Sequence, residues 1–393
     1  MAGFLSRIKS QMRERESVQA IFDTPIADKP LVAYAEDDYT WNQLGPYLTS
    51  AMDDFGIPTI YVTSDPDDPR LVDHHDLMSV YFVREVLPSF LPKIDSAVFL
   101  TTMPDLDTFH LKRPQTSTCV YAFHSLNSIH MAYRAEAFDA YDVFYCVGPH
   151  HKTELRAHFD RTGRPDVDLR EVGYPKLDRI HRDHQAYQKV HPSDTTVLIA
   201  PSWGENNILA ATGEAVIDSL SQAGFRTVVR PHPAFFESIY PEGESIVRHL
   251  QQRFIDRESV VFETSTTTES SFLEADLMVS DWSGAAYEYA LGTERPVLFV
   301  DLPPKVKNEA WADLGVVPFE DRMRHEVGLV VDPQNAGSIA QNATSLLEDA
   351  TAYGARLAEL RDACVYNNGT AAVVGASIID EIVKATPSPT ARR

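Results

Sequence analysis

Residues 280–299, SDWSGAAYEYALGTERPVLF, close one strand, open a short helix and enter a second strand within twenty positions. The preceding residues ADLMVSD form a short apolar run ending in Ser280 and Asp281. Ser283 is a helix N-cap type and Gly284 the first helical position. Gly292 suits the C-terminal cap, and Pro296 opens the next strand, RPVLFVD. A helix joining two short apolar strands is the unit of a parallel sheet, and it fixes the reading of the flanking sequence.

Outward from this unit the same alternation repeats. Before it stand TTVLIAPS, a helix over Asn207–Ala223, FRTVVRPHP, a helix near Ile239–Gln251 and SVVFETS; after it come GLVVD and helical periods over Gly337–Lys384. The first half carries strands at Leu31–Ala35, Thr59–Thr63, Ser96–Thr101, Ser117–Phe123, Asp142–Val147 and Asp168–Val172, with helices such as Trp41–Phe55 between them. The polar stretch His181–Asp194 reads as a linker. The chain is therefore expected to be α/β, with two Rossmann-type domains facing a central cleft: residues 1–185 on the acceptor side and residues 186–393 binding a nucleotide donor. At 393 residues it exceeds the usual size of one hydrophobic core. The C-terminal TPSPTARR is expected to fray.

Composition narrows the function. The residues are 44% hydrophobic and 10% aromatic, and no apolar run reaches the roughly 20 residues of a spanning helix. A net charge of −22, from 57 acidic against 35 basic residues, argues against nucleic acid as partner. Any anionic ligand must be held by local donors. Three scattered cysteines suit a reducing, cytoplasmic compartment and offer no zinc spacing. No secretory signal opens the chain. Residues 1–16 do place Phe4, Leu5, Ile8 and Met12 on one helical face beside Arg7, Lys9, Arg13 and Arg15. Such a face packs on its own protein, the favoured reading, or rests on an anionic membrane surface.

In open parallel sheets, ligands sit outside the carboxyl ends of strands, against helix N-termini that attract phosphate. Asp281, Ser283 and Gly284 stand at such a position, and Glu288 follows one helical turn later to receive ribose hydroxyls. A capped helix with solvated Glu288 is the plain structural alternative. Three further strand ends carry polar residues: Arg230 and His232 in RPHP, Ser202, Trp203, Asn206 and Asn207 in APSWGENN, and Gly173, Tyr174 and Lys176 in GYPKLD. His130, His150 and His151 show no metal-ligand pairing, and Asp37, Asp38 and the run Ser64–Arg70 read as solvated loops or a polyol-receiving edge. Walker, dinucleotide and nucleophile-elbow signatures are missing, which disfavours NTPases, dehydrogenases and α/β-hydrolases.

Together GYPKLD, APSW, RPHP and SDWSGAAYEYALGTERPVLF resemble the CDP-glycerol glycerophosphotransferase family, the teichoic-acid primases and polymerases of GT-B type. The resemblance runs from about Phe123 to Gly369, including YNNG near the end. It implies a transferase that moves glycerol phosphate, or a related alditol phosphate, from a CDP-activated donor to an acceptor hydroxyl in surface polymer synthesis. The CDP-activated donor enters as substrate; no cofactor and no metal-ligand residues are expected, and metal dependence stays open. By resemblance His124 in FHSLNS is the general base, His232 binds the diphosphate or assists the leaving group, and Ser283 and Gly284 hold phosphate. Phe123, Ser125 and Leu126 depart from the family's Trp-His-Gly-Thr segment, which implies a reshaped acceptor pocket. Gly204 stands where an arginine often follows the tryptophan, removing a cation from the donor side. The family also implies a glycan or lipid-linked acceptor and contact with the inner face of a membrane. A GT-B glycosyltransferase, a UDP-sugar 2-epimerase and a non-catalytic nucleotide- or glycan-binding protein remain alternatives.

Overall fold

The computed structural model describes residues 2–264 and 270–386. The chain forms two compact units, one of Met1–His124, Tyr133–Lys176 and Val365–Arg393, the other of Ser125–Ala132 and Leu177–Cys364.

The first unit is built on a seven-stranded parallel sheet of β1 (Leu31–Ala35), β2 (Thr59–Thr63), β3 (Met78–Phe82), β4 (Val98–Thr101), β5 (Thr118–Ala122), β6 (Val143–Cys146) and β7 (Asp168–Glu171), ordered β3-β2-β1-β4-β5-β6-β7. β1 pairs with β2 through Leu31 and Thr59, and with β4 through Leu31 and Val98. β1, β2 and β4 to β6 are short apolar runs, which is what a sheet covered on both faces requires. The six expected strands are all present. β3 is an addition that the sequence hides, because this edge strand is only half buried and MSVYF alternates weakly.

The helix Ala371–Ala385 returns to this unit from the far end of the chain. It packs on the helix Asp38–Asp53, and Tyr145 Oη donates to the Gly375 carbonyl at 2.7 Å. Gly375 is a glycine by necessity of space, since a Cβ there would stand 2.4 Å from Tyr47 Cδ1 and 3.1 Å from Tyr145 Cε2. Outside the core, Arg170 makes a forked pair with Glu381 at 2.7 and 3.2 Å. A division at residue 185/186 would leave this helix with the second half of the chain, whereas here it completes the first unit's core. The segment expected as a linker is helical in its first part, within Pro175–Ala186.

The second unit holds a six-stranded parallel sheet: β8 (Thr196–Ile199), β9 (Arg226–Val229), β10 (Val260–Phe262), β11 (Leu277–Ser280), β12 (Val297–Val300) and β13 (Gly328–Val331), ordered β10-β9-β8-β11-β12-β13. All six were expected. Chain order reverses between β8 and β11, so the loops leaving their carboxyl ends diverge to opposite sides and open a crevice. The helices Ile208–Gln222 and Gly284–Thr293 begin at that crevice. The helix expected near Ile239–Gln251 runs over Gly243–Arg253.

The N-terminal helix Ala2–Asp23 packs beside β3. Glu14 is buried, and its two carboxylate oxygens accept from the Glu85 and Val86 N–H groups at 3.1 Å each, while Met12 is exposed. The tail expected to fray, residues 386–393, lies outside the described residues beyond Thr386, as do the side chains of residues 1–10. No helix among the described residues is long and apolar enough to cross a membrane.

Replacing Gly375 by valine forces β-branched bulk between two buried tyrosine rings, so Gly375→Val is expected to lower unfolding free energy by about 2 kcal/mol or more. Urea denaturation followed by fluorescence measures it, and an unchanged midpoint would contradict this packing.

Candidate functional site

Asp281 organises the crevice of the second unit. Leaving β11 it turns inward and is 0% exposed. Its Oδ1 accepts from the Ser202 N–H at 2.7 Å and its Oδ2 from the Ile208 N–H at 2.8 Å. One carboxylate thereby fixes the loop after β8 and the start of the helix Ile208–Gln222. Burial pushes the Asp281 carboxyl above its ordinary range, and the backbone donors pull it back. Ser280 Oγ adds a 2.6 Å bond to the Ala200 carbonyl. Asp281, expected as a substrate ligand, is thus engaged by backbone on both oxygens.

This clamp decides which helix terminus can receive an anion. At Ile208–Gln222 the Asn207 Oδ1 caps the Ala210 N–H at 3.0 Å and Asp281 takes the Ile208 N–H, so that terminus already holds a carboxylate. Asn207 Nδ2 further donates to the Gly204 carbonyl and to Tyr240 Oη. At Gly284–Thr293 the N-cap Ser283 is extended, with φ −84° and ψ 133°, and its side chain makes no cap bond. Ala286 N–H bonds Ser283 O at 3.1 Å, and the N–H groups of Gly284 and Ala285 lie in the first turn, which has no intrahelical acceptors. Ser283 is 6% and Glu288 5% exposed, so the carboxylate expected to reach ribose lies inside the unit.

Gly284 meets a different neighbour from the one expected. A Cβ there would stand 2.7 Å from Asn127 Oδ1. The missing side chain makes room for a carboxamide rather than leaving bare backbone. Asn127 arrives on Ser125–Ala132, a segment that belongs to the second unit although both flanks belong to the first. It is moored there: Ser128 N–H donates to Glu320 at 3.1 and 3.2 Å, Phe319 N–H to Ser128 Oγ at 2.5 Å, and His130 bonds the Val316 carbonyl at 3.1 Å.

Beyond β9, two places from β11 in the sheet, His232 caps the turn Pro233–Phe236, and its Nδ1 accepts the Ala234 N–H at 3.1 Å. An acceptor nitrogen carries no proton, so the neutral ring holds its proton on Nε2 and donates from there. The ring lies 6.1 Å from that of Trp203. Arg230 is half-buried, donates to Ser271 Oγ at 3.3 Å and lies over Phe272. Ser202 is buried and Asn206 exposed. Over the Trp203 face, 2.9 Å from its centroid, lies Lys305 Nζ. Neither Lys305 nor Asn127 was anticipated. Two lysines follow the Pro-Pro step after RPVLFVD, and cations just beyond a strand end were the available signal.

In the first unit, His124 follows β5. Its Nε2 pairs with Tyr133 Oη at 3.1 Å, and Tyr174 Oη donates to its carbonyl at 2.8 Å. Tyr174 and Lys176 are buried, at 1% and 6% exposure, so Tyr174 serves to hold the His124 backbone. The early carboxylates are tied locally: Asp37 caps Thr40, and Arg70, stacked on Trp41, bonds Asp38 and Asp68. Among the described residues no three His, Cys, Asp or Glu side chains gather as a metal-ligand set.

Residues 125–302 match the model of the family described as CDP-Glycerol:Poly(glycerophosphate) glycerophosphotransferase, a span that includes GYPKLD, APSW, RPHP and SDWSG. It begins one residue after His124. No curated protein matches the chain. Among solved structures, the wall teichoic acid polymerase TagF aligns with a TM-score of 0.61 at 13% identity, over 97% of this chain and 98% of that one. A putative UDP-N-acetylglucosamine 2-epimerase from Listeria monocytogenes aligns at 0.59 and 11% identity, over 92% and 98%. Sucrose-phosphate synthase from Thermosynechococcus elongatus aligns at 0.52 and 15%, over 91% and 100%. These similarities establish the expected GT-B-type fold.

Asparagine at 281 keeps one acceptor and replaces the other with an N–H₂ facing a backbone N–H. Asp281→Asn is therefore expected to cost about 2–3 kcal/mol, read by chemical denaturation. Asp281→Ala, which leaves both donors unpaired, should cost at least as much; full stability in either variant would contradict the clamp.

Proposed function

We propose that this enzyme, whose site-bearing segment is of the CDP-glycerol glycerophosphotransferase family, transfers glycerol phosphate from CDP-glycerol to a hydroxyl of a cell-surface polymer. The observation that carries the donor site is the contrast between two helix termini on one sheet edge. The terminus at Ile208 already holds Asp281, whereas at Ser283–Gly284 the Ser283 side chain makes no cap bond, so the first-turn N–H groups, beside Asn127, are the ones assigned to an anion. His232, fixed as an Nε2 donor on the strand two places away, supplies a second contact to the diphosphate.

In the reaction the acceptor oxygen bonds to the β-phosphorus, the bond from that phosphorus to the bridging oxygen breaks, and CMP departs with the bonding pair. The acceptor proton passes to His124, whose imidazole is steadied by Tyr133. Little covalent chemistry is asked of the protein. Positioning and neutralisation of phosphate charge supply most of the rate. In a chain of charge −22 this neutralisation must come from local groups: helix N–H donors, His232 and Arg230.

The acceptor side carries FHSLNS, in which Ser125–Ala132 is committed to the second unit through Asn127 and Ser128. The acceptor is a glycan or lipid-linked chain, and the protein works at the cytoplasmic face of a membrane. Residues 1–16 make the contact. From Gln11 onward the helix is anchored to the first unit, through Gln11 to Glu85, Arg13 to the Pro66 carbonyl and Glu14 to the Glu85 and Val86 N–H groups, so the lipid contact is assigned to the earlier basic residues Arg7 and Lys9.

Incubating pure protein with CDP-glycerol, CDP-ribitol, CMP-sugars and UDP-sugars tests the reading. Release of CMP from a CDP-alditol is expected. Release of a nucleoside diphosphate, or epimerisation of a UDP-sugar, would replace it with a glycosyltransferase or epimerase, and binding without turnover would make it a binding protein. His124→Ala should lower kcat by about 10²–10⁴-fold with donor affinity retained; undiminished turnover would remove His124 from the mechanism. Vesicle flotation tests the lipid contact: Arg7→Glu with Lys9→Glu should abolish flotation on anionic vesicles, and equal flotation of the variant would contradict it.

A further inference from the structure

We infer that Lys305 is the donor-side cation of this protein, closing on the diphosphate of the bound nucleotide from the loop that follows β12. The inference rests on the donor reading above and adds a residue to it. The motif APSWG has glycine at 204, directly after Trp203, so the strand end of β8 brings no positive charge of its own. The structure fills that place from elsewhere in the sequence. Lys305 Nζ lies 2.9 Å above the Trp203 ring, and the His232 ring lies 6.1 Å from the same indole. One indole thus adjoins both the ammonium and the imidazole already assigned to the phosphates.

The loop that carries Lys305 is fixed on both sides of it. Trp282 Nε1–H donates to the Leu302 carbonyl, and Arg324 lies over the Trp282 ring while pairing with Asp301 at 2.9 Å. Beyond it, Lys307 N–H donates to the Met131 carbonyl at 3.0 Å, and Asn308 Nδ2 to the His130 carbonyl at 2.9 Å. Only Pro303 and Pro304 separate Leu302 from the lysine, so its backbone is held from β11, from β12 and from Ser125–Ala132 together. A preorganised cation loses little side-chain freedom on binding.

The electrostatic setting fits a cation that awaits an anion. Half-burial lowers the Lys305 ammonium to about 7, Lys307 pushes it the same way, and the buried Asp281 alone opposes them. His232 is a further titratable group beside the shared indole. Near neutrality the empty site therefore has the lysine partly deprotonated, resting on Trp203. A diphosphate favours the charged form, so binding recruits a proton to Nζ. Affinity is then full below about pH 7 and falls as pH rises above it, because the free protein must be protonated before it can bind.

Calorimetric titration with CDP between pH 7 and 9, in buffers of different ionisation enthalpy, tests this. The terminal phosphate of CDP, with a second ionisation near 6, is already charged across that range. Wild-type protein should take up a proton on binding above pH 7, and its affinity should fall about 10-fold or more by pH 9. Lys305→Met should bind CDP about 10- to 100-fold more weakly at pH 7, without proton uptake. Lys305→Arg, permanently charged, should restore affinity and give a flat profile. Equal affinity and equal proton uptake in wild type and Lys305→Met, or a pH-dependent profile persisting in Lys305→Arg, would overturn the role of Lys305 and leave the donor site intact. Failure of wild-type protein to bind CDP at all would overturn the donor reading and this inference together.

Discussion

A buried carboxylate with two backbone donors is the constraint on which the second unit's crevice depends. Taking Asp281 out of water is costly, and the structure offsets that cost with charge-assisted bonds from the Ser202 and Ile208 N–H groups. The consequence is geometric. β8 and β11, neighbours where the chain order reverses, are locked at their carboxyl ends, and the indole of Trp203 is held where Lys305 and His232 can adjoin it. The same bond occupies the terminus of one helix with the protein's own negative charge, and the proposed donor site is the other terminus, at Gly284. A strand-end aspartate that looks like a ligand is here the part that makes a ligand site.

The parallel sheets were legible because fully buried strands write themselves as short apolar runs; twelve of the thirteen strands were expected from the sequence, most of them as such runs, although β7, DLRE, is not one. β3 escaped because an edge strand buries half its residues and loses that signature. The positions of strand ends were legible for the same reason, and so were the motifs on them. What a strand-end residue does was not, since Asp281 facing inward and Asp281 facing a ligand are the same letter. Long-range returns were equally hidden: the packing of Ala371–Ala385 against Tyr47 and Tyr145, and the crossing of Ser125–Ala132 into the second unit, rest on contacts between residues far apart in sequence. Gly284 shows how a right residue can carry a different reason, for its lack of a side chain accommodates Asn127.

Charge is handled locally throughout. With 57 acidic residues against 35 basic ones, the molecule as a whole repels a nucleotide, so attraction has to be short-ranged and prearranged. Helix N–H groups, an imidazole with a fixed tautomer and a lysine stacked on tryptophan meet that need without a large basic patch. Gly204 brings no charge to APSWG, and Lys305 beside Trp203 supplies a positive charge to the same indole from the loop after β12.

The central claim is that the diphosphate of a cytidine nucleotide rests on the first turn of the helix Gly284–Thr293, beside His232. A crystal structure of the protein with CDP bound tests it most directly. The account predicts the phosphates within hydrogen-bonding distance of the Gly284 and Ala285 N–H groups and of His232 Nε2. Phosphates seated on another helix terminus, with Ser283 and His232 remote from the nucleotide, would contradict it.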